Sequence, residues 1–209
     1  MKLGTIKVEA LKIMFVNYAA DFNIDQLEDI ASDDLYSSYM AGMTGAINRC
    51  FAAIENKKVL PIKILRLCRC KGESTKMFTR WKISELCEDF LAVCRVVRET
   101  DSSYIANADY RLEGDVIVLS DVADNEYIAL LYYPSIERIT NGTDNNKELD
   151  IPENIAVAIP YYVKGDLFRD DEPAEAGEAR NWFEAAMDEI IANRNTVHQS
   201  VVDTKYRME

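Results

Sequence analysis

Reactive and flexible residues are scarce in this chain. Among 209 residues there is one histidine, His198, and only eight glycines and five prolines. A lone histidine with no positioned partner removes the Ser-His-Asp and Cys-His routes to nucleophilic catalysis. The glycines are scattered and form neither G-x-G-x-x-G nor G-x-x-x-x-G-K-[ST], so no phosphate-cradling loop is written into the chain. No apolar run approaches the roughly 20 residues that a membrane helix needs, and the N-terminus has no signal-peptide pattern. Basic residues are the minority, 24 against 36 acidic for a net charge of −12. That balance argues against a general nucleic-acid binder, which needs a basic stripe to neutralise phosphates. An acidic wall instead lets a duplex slide past without sticking.

Apolar residues make up 48% of the chain, enough to bury a core, so disorder is not the default. Five cysteines without an export signal predict a reducing compartment and free thiols. Cys68, Cys70, Cys87 and Cys94 form a C-x-C followed by a pair six residues apart, which departs from the usual paired zinc spacing. Two cysteines on one side of a strand are explained equally well as small core residues. No metal, cofactor or catalytic residue is therefore assigned.

Helical periodicity frames the chain. Residues 5–19 place Ile6, Ala10, Met14 and Tyr18 on one face, with Thr5 as the expected cap, and a short acidic helix is expected at 25–31. Residues 33–56 carry Tyr36, Met40, Met43, Ile47, Cys50 and Ile54 as a single stripe, with Asp33 or Asp34 expected at its start. Gly42 and Gly45 inside that helix predict a close helix neighbour or a kink. Beyond Pro61 the period shortens. Segments 62–70, 77–83, 91–98, 104–111, 115–120 and 126–133 are rich in β-branched and aromatic residues and are divided by turns. Glu113-Gly114 between two such segments predicts a hairpin.

After Pro134 helices return. Ile155, Ile159, Tyr162 and Val163 share one side of a helix that Pro160 should kink, and Asp170-Asp171-Glu172-Pro173 starts another with Ala176, Phe183, Met187 and Ile190 as its apolar line. Trp81, Trp182, Tyr132-Tyr133 and Tyr161-Tyr162 lack interleaved basic residues, which favours packing or interface anchoring over base stacking. From Asn195 the period fades into a polar tail. The expected fold is α+β: residues 1–60 and 138–194 form a helical bundle, 61–137 an inserted small antiparallel β-sandwich or barrel lobe, and 195–209 a flexible C-terminal arm.

The segments SSYMAGMTGAINRCFAAIENKKVLP, YYPSIERIT and ELDIPENIAVAIPYYVKGDLFRDDEPAEAGEARNWFEAAMDEI resemble head–tail connector (adaptor) proteins of tailed bacteriophages, of the kind found in phages of Gram-positive hosts. The similarity covers about residues 35–195. It implies a virion protein of the head–tail neck, made in the bacterial host cytoplasm and not an enzyme. It further implies a homo-oligomeric ring, commonly of about twelve copies, closed by heterologous contacts. Such a ring sits under the portal protein, extends the DNA channel without binding DNA specifically, involves no membrane, and presents a docking surface to a stopper or tail protein. Within that frame Val201, Val202 and Tyr206 are candidate apolar anchors of the arm on the portal. The alternatives are a head-completion or tail-terminator protein, and a zinc-binding protein using Cys68, Cys70, Cys87 and Cys94.

Overall fold

The computed structural model describes residues 1–16, 22–75, 77–100, 103–124 and 126–206, and for 70, 99–100, 103–107 and 195–206 the backbone alone. The fold is α+β, with helices at both ends of the chain and two small antiparallel sheets between them. The chain divides into two compact units, Met1–Val59 with Arg138–Glu209, and Leu60–Glu137.

The first unit is helical. Helix α1 (Leu3–Met14) buries Leu3, Ile6, Ala10, Leu11 and Met14. Tyr18, expected on the same face, lies outside the described residues. Thr5 does not cap the helix: Lys2 holds the N-cap position without a side-chain bond. The loop at 145–147 takes over that role. Leu3 and Gly4 donate their backbone N–H groups to the carbonyls of Lys147 and Asn145 at 3.0 and 2.7 Å, and Lys7 donates to the Asn145 side chain at 2.9 Å. Orphan amides at a helix start need some acceptor, and a distant loop serves as well as a local hydroxyl. A 3-10 turn (Ile24–Gln26) leads into α2 (Leu27–Ser32).

Helix α3 (Ser37–Lys57) begins later than expected, because Asp33 closes a turn by accepting from the N–H of Leu35 instead of capping the helix. Its stripe is the heart of the unit. Met43, Ile47, Cys50, Phe51 and Ile54 are all fully buried, each apolar side chain of that size contributing about 1.5–3 kcal/mol. The close approach predicted at Gly42 is present, since a Cβ there would lie 2.7 Å from Leu167 Cδ2. At Gly45 such an atom would meet only the Arg49 side chain of the same helix, so the prediction does not extend to it.

Where the chain re-enters this unit, α3 receives it. Glu55 and Arg138 form a two-point ion pair, and the Asn48 side chain donates to the Ile139 carbonyl at 2.8 Å while accepting from its N–H at 3.0 Å. Residues 153–167 are not one kinked helix. After α4 (Ile83–Leu86) of the other unit, the next helix in the chain is α5 (Glu153–Ala156), which ends before α6 (Ile159–Leu167) begins. Pro160 lies in the first turn of α6, where its missing N–H costs nothing. Helix α6 packs on α1, α3 and α7 (Pro173–Tyr206). At Gly165 a Cβ would stand 3.0 Å from the Ala176 carbonyl oxygen, which is why a side chain is missing at that crossing. Helix α7 continues through residues 195–206, where the lost apolar period predicts a flexible arm. Backbone hydrogen bonding propagates a helix without an apolar stripe.

The second unit is built from strands. Strands β1 (Lys63–Cys68), β8 (Tyr127–Pro134), β4 (Phe90–Thr100) and β5 (Ser103–Asn107) form one sheet in the order β1-β8-β4-β5. Strands β2 (Glu73–Ser74), β3 (Phe78–Lys82), β7 (Val116–Ser120) and β6 (Tyr110–Glu113) form the other in the order β2-β3-β7-β6. Leu67, Val96, Ile128 and Leu130 of the first sheet share a core with Trp81, Ile117 and Leu119 of the second, so the lobe is a sandwich.

The expected strand 104–111 is in fact two, β5 and β6, in different sheets. The break falls at Asn107-Ala108-Asp109, where turn-forming residues flank a buried alanine. The four-residue α4, which the sequence does not foretell, follows β3. The expected hairpin is present. β6 and β7 pair from Glu113↔Val116 outward, and Gly114 has φ +65°, as the first central residue of a type II′ turn requires.

Candidate functional site

Two polar clusters stand out, one in each unit. In the strand unit the Asp89 carboxylate accepts from the Lys63 ammonium at 2.7 Å, the Tyr132 hydroxyl at 2.9 Å and the Cys87 thiol at 2.9 Å. Burial alone would raise the Asp89 carboxyl; the three donors and the lysine charge outweigh it and bring it down to about 2. Burial, and then hydrogen bonding within the cluster, push both the Cys87 thiol and the Tyr132 hydroxyl upward. A protonated thiol is a poor nucleophile, and every group here already has a partner. The arrangement ties the start of β1 and the end of β8 to the turn before β4, and it is structural.

In the helical unit Asp166 lies between Arg49 of α3 and Arg180 of α7, its side chain only 7% exposed. Arg180 also stands over the Tyr162 ring at 5.1 Å. Cys50 is buried nearby, and burial with the Asp166 charge drives its thiol well above the ordinary range. This cluster locks three helices together and leaves no open coordination or reacting position.

Among the described residues the cysteines do not assemble into a metal centre, and the Cys70 side chain lies outside them. Cys68 is disulfide-bonded, which corrects the expectation of free thiols throughout. Cys87 donates to Asp89, and Cys94 is free and exposed. Among the described residues no cluster of three or more His, Cys, Asp or Glu side chains could hold a metal ion, and no helix is long and apolar enough to cross a membrane. Val201, Val202 and Tyr206 lie on the backbone of α7, as does His198, but their side chains fall outside the described residues.

What the surface does offer is aromatic. Trp182 on α7 is 59% exposed and stacks on Tyr161 of α6, ring centroids 5.3 Å apart and planes 13° from parallel, with Val157 exposed on the same unit. Local spacing identifies each aromatic; only the α6–α7 packing brings the two rings together. On the strand unit Phe78, Tyr110, Arg111, Val118, Ser120 and Asp109 line a shallow cavity of about 230 Å³. That is below the roughly 300 Å³ at which small-molecule sites begin. No known protein family matches the chain, and no curated protein matches it in sequence.

Proposed function

We propose that this chain is a head–tail connector of a tailed bacteriophage, one segment of a ring that docks under the portal, extends the DNA channel and receives the stopper or tail. The observation that carries the reading is the union of both chain ends in one helical unit, with a strand unit inserted between them, together with the resemblance over about residues 35–195.

The charge supports it. The helical unit holds 23 acidic and 14 basic residues, −9 of the total −12, and the strand unit 13 and 10. A channel wall of that sign repels the phosphate backbone and lets DNA pass. The Asp89 and Asp166 carboxylates are each held by cations within their own cluster, as suits a protein that works by fit. Residues 195–206 continue α7, and in this reading the segment carrying Val201, Val202 and Tyr206 docks on the portal as a helix. Imaging phage particles decorated with an antibody against the chain tests the proposal. Label confined to the neck supports it, and label on the tail tube, or none, refutes it. Removing residues 196–209 and measuring co-sedimentation with portal rings tests the docking role, which unchanged binding would end.

A further inference from the structure

We infer that Asn141 is a site of spontaneous covalent modification, losing ammonia through attack by the Gly142 nitrogen and becoming an aspartyl or isoaspartyl residue. Asn141-Gly142 is the single Asn-Gly pair in the sequence. It occupies the corner of a loop that follows the chain's return to the helical unit, and threonines close that corner. Thr143 donates its N–H to the Thr140 carbonyl at 3.0 Å, and Thr140 donates its N–H to the Thr143 hydroxyl at 2.8 Å. The two hydroxyls meet at 3.2 Å. Asn141 and Gly142 stand exposed between them, and neither forms a hydrogen bond among the described residues.

Attack of a backbone nitrogen on the preceding asparagine side chain needs a nitrogen that is free and unshielded. Gly142 meets both conditions. Its N–H has no acceptor among the described residues, and even an added Cβ would meet nothing within 4 Å. The nitrogen bonds to Asn141 Cγ while Nδ2 leaves with the amide proton as ammonia, closing a cyclic imide. Water then opens the ring. Cleavage at Cγ gives aspartate in an ordinary main chain. Cleavage at the backbone carbonyl carbon gives isoaspartate, with the main chain running through Cβ and Cγ. Water is the only co-reactant, and no oxidant or reductant enters the balance.

The same loop shields its other asparagines. Attack on Asn145 would use the Asn146 nitrogen, whose N–H is donated to the Asp144 carboxylate at 2.8 Å. Attack on Asn146 would use the Lys147 nitrogen, whose N–H is donated to the Asp144 carbonyl at 3.0 Å. Their side chains are held as well, Asn145 by Lys7 at 2.9 Å and Asn146 by Lys2 at 3.2 Å. The place of the free pair gives its modification a consequence. Upstream, Asn48 grips Ile139; downstream, the Asn145 and Lys147 carbonyls hold the first amides of α1. An isoaspartate lengthens the main chain by one methylene between those fixed points and so loosens the hold on α1.

Incubating the folded full chain at pH 8 and mapping its tryptic peptides tests the assignment. The peptide 139–147, ITNGTDNNK, should exchange an amino group for a hydroxyl at Asn141 alone. The rate should rise with pH, because the attacking nitrogen must lose its proton. Asn141→Gln should abolish the change. Gly142→Ile, for which the loop has room, should slow it about ten-fold, since a β-branched side chain crowds the nitrogen. In urea Asn145 and Asn146 should react faster than in the fold, while Asn141 keeps a similar rate. An Asn141 inert in the fold but reactive in urea, equal reaction at all three asparagines, or an unchanged rate in Gly142→Ile would overturn the assignment. The isoaspartyl fraction should melt below the unmodified chain, whereas Asn141→Asp, which adds the charge without the methylene, should melt with it. Equal melting of all three would overturn the coupling to α1.

Discussion

Replacing Asp89 with asparagine isolates the charge that holds the strand unit's polar cluster together. The amide in Asp89→Asn keeps its oxygen for the Tyr132 hydroxyl and the Cys87 thiol, and loses both the ionic attraction to Lys63 and the hydrogen bond that the second carboxylate oxygen accepts from it. The carboxyl lies at about 2 in the fold against 3.8 for the free group. At about 1.4 kcal/mol per pKa unit that difference corresponds to about 2.5 kcal/mol. The Asp89 side chain is 34% and that of Lys63 43% exposed, however, and solvent screening reduces the contribution to about 1 kcal/mol. A depressed carboxyl stabilises the fold fully above its unfolded value and loses that contribution as the pH falls toward its folded value. The wild-type advantage over Asp89→Asn should therefore be flat from neutrality to about pH 5, shrink as the pH falls through 3.8, and vanish only below about 2. Trp81, buried in the strand-unit core, reports this unit's urea unfolding once Trp182→Phe silences the other tryptophan. An advantage that persists undiminished at pH 2 would refute the assignment of Asp89 as an ionised acceptor.

Gly165→Ala should destabilise the helical unit by about 1–3 kcal/mol in thermal melts, because the new methyl presses on the Ala176 carbonyl of α7. Arg138→Ala leaves the Glu55 carboxylate, 7% exposed, without this ion-pair partner, and should cost about 1–3 kcal/mol by urea titration. Alkylation followed by peptide mass mapping at pH 8 should label exposed Cys94 ahead of Cys87, whose thiol is raised by burial and by Asp89, and label buried Cys50 last.

Local periodicity makes much of this fold legible. The stripe from Met43 to Ile54 is apolar at helical spacing and is buried as that spacing demands. The runs around Trp81, Val118 and Leu130 alternate or cluster as strands do, and Gly114 marks its turn by being the residue that tolerates positive φ. What escapes the sequence depends on partners distant along the chain. The cap of α1 comes from residues 145–147, the docking of Ile139 from Asn48, and the Asp89 cluster from residues 63, 87 and 132. Pro160 misleads for a different reason: a proline in an apolar helical pattern can interrupt one helix or begin another, and only the boundary after Ala156 distinguishes the two. Trp182 and Tyr161 are legible as candidate anchors, but their stacking and the cavity at Phe78 emerge only once the strands and helices are assembled.

Self-assembly into a tube segment is examined directly by electron microscopy of the purified chain mixed with portal rings of its phage. A continuous ring of identical copies capping one end of the portal and enclosing an open axial channel is expected. Bare portal rings beside unattached single chains would contradict it.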